Sequence, residues 1–189
     1  PEYDVSWTYN QRNKLLSLHV KQVQDLKTTS LFKMPINVLI DNGTVEEHVI
    51  WVEDLDSVFK IHTDKRPRMV VFNSGLKVPS NLKMQKSVSD LKYQLINAPN
   101  VLDRIWAAQQ LSKKKGRKIV EYALLESAKV DSFWAVRSEA YSSLGKLKTK
   151  ANQEDFQWIK NNEKDNRVKR SFIRSLRHRV NDDDVSRFL

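Results

Sequence analysis

Cysteine is absent from this 189-residue chain. That one absence removes disulfides, thiolate nucleophiles and thiolate metal sites together. It leaves the compartment open, because many exported proteins also lack cysteine. Glycine occurs only four times, and no Gly-rich phosphate loop or G-x-S-x-G elbow is present. No apolar run approaches the ~20 residues that a membrane span needs. The chain opens at Pro1 with neither an initiator Met nor a signal-like segment. It is read as a piece of something longer, whose targeting signal has been lost.

Histidine is also scarce: His19, His48, His62 and His178. No two are four apart, and none has a Glu placed for an H-E-x-x-H zinc site. The acidic pairs Glu46-Glu47 and Glu53-Asp54 fall at strand ends or turns, where nothing obliges two carboxylates to share a proton. The expectation is therefore no catalytic residue, no metal ligand and no cofactor in this chain.

What is present is an ordinary balance for a soluble protein, 40% hydrophobic and 30% charged. A globule of this size buries roughly 70% of its unfolded surface and needs no staples. The net charge of +10 is unevenly placed. Residues 1–97 carry 13 Lys and Arg against 11 Asp and Glu, whereas residues 98–189 carry 20 against 12. The basic excess belongs to the second half. It suits nucleic acid, anionic lipid or an acidic protein, and equally a solubility role.

The two halves differ in period. LLSLHVKQVQ at 15–24 alternates, with Leu16, Leu18 and Val20 on one side and Ser17, His19 and Lys21 on the other. YDVSWTY (3–9), INVLI (36–40), VEEHVIWV (45–52), VFKIH (58–62) and RMVVFN (68–73) have the same β-branched and aromatic character. Asn42-Gly43 tolerates the positive φ of a tight hairpin turn. No helix-length segment separates these runs, so an antiparallel sheet is expected rather than βαβ crossovers. A small antiparallel β-sandwich over residues 1–85 is the natural packing. Gln22 and Gln24 continue the inward face of their strand. Either the strand reaches the sandwich edge there, or these amides dock against a neighbouring domain.

From about Ser87 the spacing turns helical. Ser87 and Ser89 are candidate N-caps, and Pro99 suits a helix start. VLDRIWAAQQLSKK, RKIVEYALLESAK, FWAVRSEAYSSLGKL, EDFQWIK and NRVKRSFIRSLRHRV follow, with Asp131-Ser132 as a capping pair. Phe133, Val136, Ala140, Leu144 and Leu147 make an apolar stripe, as do Val168, Phe172, Leu176 and Val180. Ala107 and Leu111 are four apart, like Ala140 and Leu144, and like Phe172 and Leu176; the leucines step by 33 and then 32. A helix-pair unit of this period points to a HEAT- or armadillo-like domain over residues 86–189, incomplete at its end. An irregular bundle is the alternative.

Arg167, Arg170, Arg174 and Arg177 are spaced i, i+3, i+7 and i+10, and so form one stripe on the last long helix. Guanidiniums in line grip carboxylates or phosphates in pairs. The stripe reads as a solvated face, assisted by the acidic residues 182–184, or as a surface for an acidic protein or peptide. Nucleic acid is disfavoured, because no reading motif accompanies the charge.

Several of these segments in order carry a family resemblance. W-T-Y, LLSLHVKQVQ, LFKMPINVLI, RPRMVVFNSGLKVPSNL, YQLINA and DRIWAAQQL together resemble the carboxy-terminal portion of zinc aminopeptidases of the aminopeptidase N type. The likeness covers nearly the whole chain and is firmest over residues 7–111. It implies a sandwich followed by a HEAT- or armadillo-like domain, both bracing an upstream catalytic domain, with the helices helping to wall the substrate chamber. The family's H-E-x-x-H and G-x-M-E-N motifs have no counterpart here, so no zinc ligand carries over and zinc is expected upstream. In an active parent, a zinc-bound water would attack the N-terminal peptide bond. Some relatives have lost catalysis and act as scaffolds. Rival expectations are an independent helical interaction module and a nucleic-acid-binding domain.

Overall fold

The computed structural model describes residues 1–114, 118–148 and 153–177. The chain divides into two compact units, Pro1–Asp90 and Leu91–Leu189, and the fold is β followed by α, as the change of period predicts.

The first unit contains seven strands: β1 (Glu2–Asn10), β2 (Leu15–Gln22), β3 (Met34–Asp41), β4 (Val45–Val52), β5 (Asp56–His62), β6 (Met69–Phe72) and β7 (Asn81–Met84). They form a four-stranded sheet in the order β5-β2-β1-β7 and a three-stranded sheet in the order β4-β3-β6. Alternation does what it should: Leu16, Leu18 and Val20 of β2 and Ile36, Val38 and Ile40 of β3 are fully buried. The sheets meet through Tyr3 of β1 and Phe72 of β6, whose rings pack edge to face 5.2 Å apart. The β3–β4 hairpin turns at Asn42-Gly43, where Gly43 has φ 114° and donates its N–H to Asp41 Oδ1.

One strand departs from the all-antiparallel expectation. β7 pairs with β1 in parallel, Tyr3 opposite Leu82 and Val5 opposite Met84. No crossover helix is required, because the chain between β1 and β7 passes through the other sheet. Asn73 sets up the return. It is 1% exposed, sits at φ 56°, and its side chain donates to Val78 O and Ser80 Oγ and accepts from Val78 N. Asparagine tolerates this left-handed conformation better than most residues.

Gln22 is buried at the end of β2. Its amide donates to Phe32 O and Asp54 O, and accepts from Phe32 N and from Gln24 Nε2. Gln24 also accepts from Glu2 N and donates to Ser30 O. Both amides are therefore used inside this unit, holding the segment between β2 and β3. The Q-x-Q strand and the Phe32–Pro35 step thus form one physical device.

The second unit contains α1 (Val88–Asn97, begun in the first unit), α2 (Val101–Leu111), α3 (Lys118–Val130), α4 (Trp134–Lys146), α5 (Gln153–Asn162) and α6 (Asn166–Leu176). Ser87 and Asp90 cap α1 reciprocally, side chain to backbone N–H in each direction, while Ser89 lies within the helix. Asn100 caps α2, so Pro99 lies one residue before the cap rather than at the first helical position. Asp131 holds the turn into α4 by accepting from Phe133 N.

Helix α4 lies against α2, α3 and α6, and this decides its burial. Val136, Ala140 and Leu144 of the predicted stripe are buried, but so are Tyr141, Ser143 and Gly145, while Phe133 is 40% exposed. Val180 falls outside the described residues. Small residues allow the close approach. Ser143 Oγ donates to Ala108 O of α2, and a Cβ on Gly145 would stand 3.0 Å from Ser175 Cβ and 3.1 Å from Ser175 Cα. Gly145→Ala gains about 1 kcal/mol of helix propensity but overpacks this contact at a cost of about 1–3 kcal/mol. The expected net is a loss of about 1 kcal/mol in urea unfolding, partly restored by Ser175→Gly, which removes the nearest atom.

Candidate interaction surface

The chemistry-bearing residues of the first unit stay apart. His19, His48 and His62 lie on β2, β4 and β5, and His48 Nε2 stands 3.2 Å from Glu46 Oε2. Glu47 is engaged by Lys77 and Asn37, which hold its carboxyl below its ordinary range. Among the described residues no three His, Asp or Glu are placed to hold a metal ion. His178 lies outside the described residues.

The second unit carries two buried ion pairs with the same construction. Arg104, four residues past the Asn100 cap, forks onto Asp131 (Nε–Oδ2 2.8 Å, Nη2–Oδ1 3.2 Å) and donates Nη1 to Ala98 O and Pro99 O. Arg137, four past the Phe133 cap, forks onto Glu163 (Nε–Oε2 2.8 Å, Nη2–Oε1 3.0 Å) and donates Nη1 to Asp131 O and Ser132 O. Each acid also receives a backbone N–H two residues on, from Phe133 and from Asp165. The side chains are 3–16% exposed. A pair this dry is tolerated only when the remaining donors and acceptors are also satisfied, and the carbonyls and N–H groups supply that. The Arg137 guanidinium is held above its ordinary value by Glu163. Burial pushes the Glu163 carboxyl up, but the Arg137 fork and the backbone N–H groups outweigh it and the net is down.

These pairs were missed in the sequence, although a signal existed. Arg104 and Arg137 each stand seven residues before a repeat leucine (Leu111, Leu144), and Asp131 and Glu163 each stand thirteen before one (Leu144, Leu176).

The four arginines of the stripe are all exposed, but Arg167 differs from the rest in its partners. Arg167 forks onto Asp165, the cap of α6, at 3.0 and 2.7 Å, and its Cζ lies 3.6 Å from the centre of the Trp134 ring. It clips α6 to the start of α4. Arg170, Arg174 and Arg177 are exposed.

The Arg167 fork, against the opposing effect of burial and helped by the Arg167 backbone N–H, lowers the Asp165 carboxyl to about 2. Both Asp165 and Glu163 are depressed from ordinary values of 3.8 and 4.5. The unfolded chain therefore binds more protons than the folded one in acid, and stability present above those ordinary values is lost as pH falls. Urea midpoints are expected to be level from neutral pH down to about 5 and to fall towards pH 2, with a shallower fall in Asp165→Asn.

Among the described residues no helix is long and apolar enough to cross a membrane. No family model and no curated protein sequence matches the chain. Among solved structures it is similar to a crystal structure of Legionella pneumophila aminopeptidase A in complex with aspartic acid. The TM-score is 0.59 at 18% identity, over 93% of this chain and 21% of that one. The chain thus spans about a fifth of the length of the structure it matches, and what the two share is the fold: a β unit followed by helices, as found in part of an aminopeptidase.

Proposed function

We propose that this chain is the sandwich-plus-helices portion of a zinc metallopeptidase of the aminopeptidase N type. In this reading it performs no chemistry. It braces the catalytic domain, and its helical unit, a HEAT- or armadillo-like stack, helps to wall the substrate chamber. The observation that carries the reading is the shared order of β unit then helices over 93% of the chain with part of an aminopeptidase, joined to the segments that resemble that family. The repeated Arg–acid pairs support a helical stack, because each joins the start of one capped helix to the turn entering the next. Zinc belongs, on this reading, to the upstream part of such an enzyme.

The test has two arms. Aminoacyl 4-nitroanilides, with and without added zinc, are expected to show no chelator-sensitive turnover with this chain. Mixed with the separately expressed upstream part of its own polypeptide, the chain is expected to co-elute in gel filtration and raise that part's melting temperature. Turnover by the chain alone, or separate elution with no stabilisation, overturns the proposal.

A further inference from the structure

We propose that the pocket between the last turns of α1 and α3 binds a primary alkylammonium group, of the kind that a lysine side chain or a free aliphatic amine carries. All its walls come from residues 95–132 of the second unit, and its volume is about 360 Å³. That lies at the lower end of the range for small-molecule sites. Fully buried Leu95 lines it, and so do Ile96 and Val130, which are 50% and 72% exposed. An alkyl stem entering from solvent therefore has apolar surface to lie on.

The walls are net negative, in a half of the chain where Lys and Arg outnumber Asp and Glu 20 to 12. Arg104 lines the pocket, but its guanidinium is engaged by Asp131, Ala98 O and Pro99 O. Glu126 lines it too, and has no ion pair among the described residues. The helix ends add to this. Leu95 and Ile96 belong to the last turn of α1, and Ser127 and Val130 to that of α3. Carbonyls there lack helical partners, and a cation is stabilised. The last turn of α1 has no basic residue. That of α3 has Lys129, but its ammonium is turned to Asp155 of α5 at 3.2 Å.

Ser127 points the same way independently. It lines the pocket, is 5% exposed, and its hydroxyl has no hydrogen-bond partner. A helical serine ordinarily resolves this by bonding to the carbonyl one turn back; Ser127 does not. Buried polar atoms without a partner are rare in folded proteins, and each calls for an explanation. An ammonium supplies one, because its three donors rotate to suit their acceptors. The Glu126 carboxylate, the Ser127 hydroxyl and a last-turn carbonyl are three such acceptors. An anion would instead meet Glu126 with like charge. The proposal is independent of the aminopeptidase reading, since it concerns the helical unit alone.

The probes are butylammonium and butyrate, together with acetyl-Gly-Lys-Gly-amide and its counterpart with norleucine in place of lysine. Titrated into the isotope-labelled full chain and followed by amide chemical shifts, butylammonium and the lysine peptide are expected to shift Ser127 and Val130 saturably. Butyrate and the norleucine peptide are expected to bind at least about tenfold more weakly. The tighter of the two amines identifies the source of the group, polypeptide or free amine. Glu126→Gln, on an exposed position, is expected to weaken both amines about tenfold without shifting the melting temperature. Ser127→Ala is expected to weaken them about threefold while leaving the melting temperature level or raised, because it removes a buried polar atom that has no partner. No saturable shift with either amine, equal binding of butyrate, or indifference to both variants overturns the proposal.

Discussion

Arg137→Met is expected to destabilise the helical unit by about 3–5 kcal/mol, the range for removing one partner of a buried pair. The Glu163 side chain is 3% exposed, so the variant leaves a carboxylate out of water with no countercharge. The carbonyls of Asp131 and Ser132 lose their donor at the same time. Glu163→Gln is expected to cost less, because a neutral amide leaves no unpaired anion and still accepts a hydrogen bond. Replacing both members with Met is expected to recover much of the loss, since an apolar pair of similar volume often matches a buried ion pair. A double-mutant cycle by urea unfolding, followed by far-UV circular dichroism, measures the coupling. Additive single effects would mean that the two side chains do not act as a unit.

Phe172→Ala is expected to be comparably severe, about 3–5 kcal/mol. Phe172 is 2% exposed and packs edge to face against Tyr141 of α4 at 5.2 Å and Phe156 of α5 at 5.1 Å. Truncation loses the transfer energy of the ring, opens a cavity between three helices, and forfeits two aromatic contacts worth about 0.5–1.5 kcal/mol each. The matching positions in α2 and α4 are Ala107 and Ala140, where close packing leaves no room for a ring. Phe172→Leu keeps most of the volume and is expected to cost about half as much. Thermal unfolding of both variants checks the ranking; an Ala variant within 1 kcal/mol of the parent would show that the ring is not part of a packed core.

Both predictions concern residues whose importance the sequence indicated unequally. Phe172 was legible, because helical spacing places it on the stripe with Val168 and Leu176. Arg137 was not. A basic residue within a helix reads as solvent-facing until something shows which carboxylate it meets, and Glu163 lies on the turn between α5 and α6. The partners of Arg167 were hidden for the same reason. Spacing puts Arg167 in line with Arg170, Arg174 and Arg177, and only the fold shows that it also forks onto Asp165 and stacks on Trp134.

Local periodicity reports which side of an element is dry, and one strand or turn suffices to set it. The six predicted strands, the Asn42-Gly43 hairpin, the helices of the second unit and the 33- and 32-residue leucine steps are properties of this kind. β7 is different: Asn81–Met84 alternates, but four residues are too few to declare a strand, and they become one only because the Asn73 turn delivers them to the open edge of β1. The burial of Tyr141, Ser143 and Gly145, the use of Gln22 and the two Arg–acid forks are likewise tertiary. Each depends on a partner distant in sequence whose position is set only when the chain closes on itself, and no local spacing encodes that distance.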